Sequence, residues 1–167
     1  METIPVTETG CCPRFDPAPW NEKEMVWKDK TFVKDHVRSL FHIPLDMGRK
    51  VVKNQVLIDK AGAAPEHPMM LSDERSPWGA DIFIDVTKPV EGAEMTTISG
   101  TFLTKVFEGP YRDAGTWVDQ MQDFVAARGH RLSQLYFGYT MCPRCAKAYG
   151  KNYVVLFAKV DTASPAS

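Results

Sequence analysis

Apolar and polar residues recur along this chain with two different periods, and the change of period marks its elements. Between residues 112 and 128, Trp117, Val118, Met121, Phe124 and Val125 recur at helical spacing, with the stem of Arg128 along the end of the same face. Asp113 is placed to cap the start of that helix, Pro110 keeps Gly109 extended or turned, and Gly129 supplies the left-handed residue that ends it. A second helix is predicted over residues 46 to 61, where Met47, Val51 and Ile58 share a face. Val52 and Val56 lie off that face, so this helix is either deeply buried or less regular than the other.

Elsewhere the period is two. From Asp81 to Val86, Ile82, Ile84 and Val86 alternate with Asp81, Phe83 and Asp85, the pattern of a half-buried strand. Leu135, Phe137 and Tyr139 alternate in the same way. The segment from Thr96 to Phe107 has strand composition, and Tyr153 to Val160 is a nearly unbroken apolar run suited to a central strand. A short strand is expected around Met69 to Leu71. Met25 to Phe41 mixes β-branched and aromatic residues with charges, and Lys28-Asp29-Lys30 reads as a hairpin turn within it.

The punctuation of the two helical stretches matches. Phe41, Pro44, Asp46, Gly48, Val51 and Gly62 fall in the same order as Phe107, Pro110, Asp113, Gly115, Val118 and Gly129. This predicts an α+β fold of tandem duplicated β-α-β-β units related by a pseudo-twofold axis, an antiparallel sheet with two long helices. The first unit would span residues 23–92 and the second 93–162, after a Pro-rich arm over 1–22 and before a frayed tail over 163–167.

Composition narrows the function. The chain has 167 residues, enough for one substantial core, with 44% hydrophobic and 25% charged residues and a formal net charge of −1. Interspersed charges leave no basic stripe, so direct nucleic-acid binding is not expected. No apolar run reaches the length of a membrane span and the N-terminus lacks the pattern of a signal peptide, which points to no membrane and a cytoplasmic, reducing location.

A strand followed by Gly109-Pro110-Tyr111 and an amphipathic helix, after the acidic-apolar strand from Ala80 and the Pro89-Val90 linker, resembles the GyrI-like small-molecule-binding superfamily over residues 23 to 162. The resemblance implies a stand-alone member whose central cleft takes an apolar or cationic organic molecule, and in some members hydrolyses strained electrophiles with a buried Glu and aromatic help. This chain departs from that pattern. Phe83, flanked by Asp81 and Asp85, stands where many members carry the pocket Glu, and Val154-Val155-Leu156-Phe157 has no acid. Residues 1 to 22 are too short and Pro-rich for the DNA-binding helix-turn-helix of regulators.

Tyr111, Trp117, Phe83, Trp78, Tyr136 and Tyr139 are the candidate ligand-binding aromatics, since rings give apolar area with few rotamers and can face a cation. Glu108 and Asp85 are the candidate catalytic acids, because a carboxylate against an apolar wall can exchange a proton near neutrality. Four histidines are scattered, and no Ser-His-Asp order or phosphate-cradling loop is present. Cys142-Pro143-Arg144-Cys145 has the spacing of a zinc knuckle, with Cys11 and Cys12 available to complete a zinc site; a redox pair and four reduced thiols are the alternatives. Three functions therefore stand: a small-molecule binder, a hydrolase of the same architecture, and a zinc-stabilised regulatory or structural protein whose protein partner is unknown.

Overall fold

The structure is a computed structural model that describes residues 16–40, 43–65, 69–76, 78–139 and 153–161, with Ile43, Pro44, Arg75 and Tyr111 described by backbone alone. Its strands are β1 (Lys23–Leu40), β2 (Ile43–Pro44), β3 (Met70–Ser76), β4 (Gly79–Asp85), β5 (Glu94–Glu108), β6 (Arg131–Tyr139) and β7 (Tyr153–Asp161). Its helices are α1 (Met47–Ala61) and α2 (Ala114–Ala127), the second entered through a 3-10 turn at Tyr111–Asp113. All strand pairs are antiparallel, in the order β1-β4-β3-β6-β7-β5, and β5 pairs back onto β1. Six strands therefore close into a barrel, with β2 a short addition to β1.

This replaces the expected α+β fold of tandem β-α-β-β units about a pseudo-twofold axis, with two long helices on an antiparallel sheet. Strand dominates the described residues, and the helices have 15 and 14 residues and lie outside the barrel. Closure follows from the length of β1. Its 18 residues reach far enough for Phe32 to Arg38 to pair with β4 while Lys23 to Lys34 pair with β5, so neither flank of the sheet is left as an edge.

The hairpin expected at Lys28-Asp29-Lys30 is a β-bulge inside one continuous strand. Trp27 pairs with Gly100 and Lys30 with Ile98, so three steps on β1 face two on β5. Asp29 takes a left-handed φ of 50° there, and its N–H donates to Ser99 Oγ at 2.8 Å while that hydroxyl donates to Asp29 Oδ1 at 3.3 Å. The extra residue shifts the phase of the strand. Met25 and Trp27, at odd positions, and Phe32, at an even one, consequently share the inner face.

Both sides of the wall are apolar. Inside lie Phe32, Leu71, Phe83, Ile98, Phe102, Tyr136, Val155 and Phe157. Outside, α2 lays Trp117, Met121 and Val125 on Leu103, Phe107, Phe137, Val154 and Leu156. The second outer cluster packs Ile58 of α1 with Val33, Ile84 and Val86. Strand β4, expected to be half buried, is thus buried on both faces. Helix α1 is not deeply buried, because Val52 and Val56 are 63% and 48% exposed. Gly62 and Gly129 end the two helices with φ of 60° and 76°. Asp113 occupies the N-cap of α2 but makes no side-chain capping bond; its own N–H closes the preceding 3-10 turn on the Pro110 carbonyl at 3.0 Å.

Candidate functional site

The inner cluster is sealed at its centre and open at one rim. Phe32, Phe102 and Phe157 are at most 1% exposed, whereas Trp20, Met25, Trp27 and Val106 pack on them while keeping part of their surface in water. Trp27 lies 4.6 Å from Phe102 and 5.5 Å from Phe157 between ring centroids, and Trp20 meets Phe157 edge-on at 5.8 Å. Trp20 is fixed by its backbone, whose carbonyl accepts a hydrogen bond from the buried Thr104 Oγ1 at 2.6 Å. The bulge aims Trp27 and Lys30 at the same region. Two tryptophans and a methionine therefore present a supported apolar platform, with rings pinned by the rings beneath them.

A charged pair borders this platform. Lys30 Nζ lies 3.3 Å from Asp85 Oδ1, with 14% of the Asp85 side chain and 35% of that of Lys30 exposed. The same ammonium stands 5.5 Å from the Trp27 ring and 5.7 Å from that of Phe32, within cation–π reach of both. Burial pushes the Asp85 carboxyl above its ordinary range, and the charge and hydrogen bond of Lys30 only partly offset that rise.

A second polar group lies along the inner faces of β1, β4, β3 and β6. His36 Nδ1 is 3.0 Å from Asp81 Oδ1, Asp81 stands opposite Asp73, and Gln134 Nε2 donates to Asp73 Oδ2 at 3.1 Å. Gly79 makes room for the imidazole, because a Cβ there would sit 2.5 Å from His36 Nε2. Among the described residues, no group of three or more His, Cys, Asp or Glu side chains is arranged to hold a metal ion.

The sequence-predicted residues divide between these places. Phe83 and Tyr136 meet inside the barrel at 5.7 Å, with rings nearly perpendicular, and Asp85 joins the inner face two residues from Phe83. Trp117 instead lies beneath α2, 5% exposed and stacked 5.8 Å from Phe107. Tyr139 packs on that same outer cluster and donates its hydroxyl to Glu74 Oε1 at 2.9 Å. Trp78 is 59% exposed beside β4, and Glu108 is exposed at the end of β5. The Tyr111 side chain and all of Cys11, Cys12, Cys142 and Cys145 lie outside the described residues. Sequence reasoning missed Trp20, Trp27 and Lys30. The signal for the last two was the slip of inward positions from odd to even across Lys28-Asp29.

A closed antiparallel barrel with, among the described residues, two external helices and an aromatic interior opening at a tryptophan-lined rim defines the class of molecule. The chain belongs to the family described as bacterial hydrolase, whose model matches residues 3–160. In fold it is similar to a hydrolase from Listeria innocua, with TM-score 0.61 and 13% identity over 85% of this chain and 93% of that one. The C-terminal domain of EcmrR aligns with TM-score 0.62 and 9% identity over 85% and 98% of the two chains. An uncharacterized conserved protein from Listeria innocua aligns with TM-score 0.62 and 11% identity over 83% and 91%. Comparison with proteins of curated function returned no match. Among the described residues, no helix is long and apolar enough to cross a membrane.

Proposed function

We propose that the chain binds a small, uncharged, largely apolar organic molecule at the rim formed by Trp20, Met25 and Trp27. The observation that carries this reading is the supported pair of partly exposed tryptophans. Large rings held from below present apolar area that a ligand can cover without ordering them first. Methionine beside them adapts to ligand shape. The resemblance to the GyrI-like superfamily, whose members take organic molecules, supports the same class of ligand. Calorimetric titration with meta-tert-butylphenol tests it. Binding is expected, and Trp27→Ala should weaken it by roughly 30-fold, about 2 kcal/mol, the scale of losing a central aromatic anchor. A folded Trp27→Ala protein with undiminished affinity overturns the assignment.

The family's description as hydrolases, together with the desolvated carboxyl of Asp85, favours a second step on the same ligand. Ionised Asp85 would accept a proton from water as the water oxygen bonds to an electrophilic carbon. The bond to the leaving atom breaks, and the proton held by Asp85 passes to that atom. Asp85→Asn would then abolish turnover of an epoxide or activated ester while preserving binding of the phenol. Equal turnover by Asp85→Asn removes Asp85 from the reaction.

A further inference from the structure

We propose that Lys30 sets the charge class of the ligand: its ammonium occupies the place between Asp85, Trp27 and Phe32 that an organic cation would take, so the rim admits uncharged molecules and excludes cations. The proposal rests on the reading of the rim as a small-molecule site, and concerns what that site rejects. A cage of two ring faces and a sheltered carboxylate is the surrounding that selects a cation. Here that surrounding is filled from within. A tethered ammonium competes with any free cation at a high effective concentration, and it is tethered on a bulge that Ser99 holds by two hydrogen bonds.

The pair also explains why the site tolerates an acid beside apolar rings. Lys30 neutralises Asp85 at 3.3 Å, so an uncharged ligand meets a platform with no unpaired charge at its border. A cationic ligand would have to expel Lys30 from the carboxylate or share the cage with it, and like charges in one desolvated cage repel. Expulsion is sterically open, because about a third of the Lys30 side chain already meets solvent, 35% by exposed fraction. Selectivity is therefore a matter of competition rather than of a closed wall, and removing the competitor should convert the site.

The test uses two probes of nearly one shape that differ by a charge, meta-tert-butylphenol and meta-hydroxyphenyltrimethylammonium, titrated calorimetrically into the wild type and Lys30→Met. The wild type should prefer the phenol by about tenfold or more, and Lys30→Met should gain about tenfold or more for the cation, which narrows or reverses that preference. Lys30→Met combined with Asp85→Asn should lose that gain, since the carboxylate is what the cation would find vacant. Lys30→Gln repeats the measurement if the methionine variant does not fold. If both proteins bind the phenol and Lys30→Met binds the cation no better than the wild type does, the charge rule falls and the rim reading stands. If neither protein binds the phenol but the variant alone gains the cation, the charge rule stands and the uncharged-ligand reading falls. If neither probe binds either protein, both fall.

Discussion

Helix α2 rests on the barrel through Trp117, Met121 and Val125, three residues at most 5% exposed, on a floor of Phe107, Phe137, Val154 and Leu156. Helix α1 buries only Asn54 and Ile58. Asn54 Nδ2 donates to Asp35 Oδ2 at 2.8 Å, and Lys50 and Lys53 reach the same carboxylate at 3.5 and 3.2 Å. One helix is seated by apolar area alone, and the other adds a carboxylate mooring to the smaller apolar seat of Ile58. The first kind of seat depends little on pH or salt; the second depends on both, because its central group must stay ionised.

The largest break in this comparison is expected at α2. Trp117→Ala should cost about 3–5 kcal/mol in denaturant unfolding, the range for removing a buried indole, with no dependence on pH between 4 and 7 beyond that of the wild type. A loss under about 1 kcal/mol would mean that the helix does not need this seat.

At α1, Asp35→Asn should cost about 1–3 kcal/mol at neutral pH, the scale of removing a charge-assisted partner. Burial alone would raise the Asp35 carboxyl, but hydrogen bonds from Asn54 and the His36 backbone N–H, with the charge of Lys53, bring it from 3.8 down to about 2. A depressed value means stabilisation that is present above pH 3.8 and lost as the pH falls toward 2. The stability gap between wild type and Asp35→Asn should therefore close over that window. Asp85 has the opposite sign. Its raised value gives a contribution present below pH 3.8 and lost as the pH rises through that raised value. Acid titration of the two Asn variants should diverge accordingly, and parallel curves would contradict the environments described for both groups.

The smallest effect sharpens the same contrast. Val52 and Val56 face solvent on α1 at 63% and 48% exposure, so Val52→Lys with Val56→Lys should change unfolding free energy by less than about 0.5 kcal/mol. A cost above about 2 kcal/mol would show that this face is covered in solution.

What could be read from the sequence follows the range of the interactions involved. Helix α2 and strands β4, β5, β6 and β7 are written in local periodicity, and the elements lie close to where the pattern of apolar positions puts them. Closure of the barrel is not local. It depends on β1 meeting β5, and the pair that latches the bulge, Asp29 and Ser99, is 70 residues apart. Charged Lys28-Asp29-Lys30 looks the same in a hairpin turn as in a bulge until the partner strand is known. The candidate site divides for a related reason. Phe83 and Tyr136 are brought together by their strands, but alternation says only that two faces exist, and here both are apolar, so Trp117 and Trp27 fall on opposite sides of one wall.

The position of β7 also governs how the chain is made. Strand β6 pairs with β3 and β5 pairs with β1, and among the described residues only β7 joins β6 to β5. During synthesis the first five long strands can assemble into a curled sheet with two free edges, and that sheet stays open until residues 153–161 leave the ribosome. The last strand to emerge slides between two earlier ones instead of adding to an outer margin. A nascent chain stalled before that point carries unpaired strand backbone on both flanks, the form in which neighbouring chains capture one another. The stretch Val154-Val155-Leu156-Phe157 thus acts as a keystone whose arrival ends the period of greatest aggregation risk.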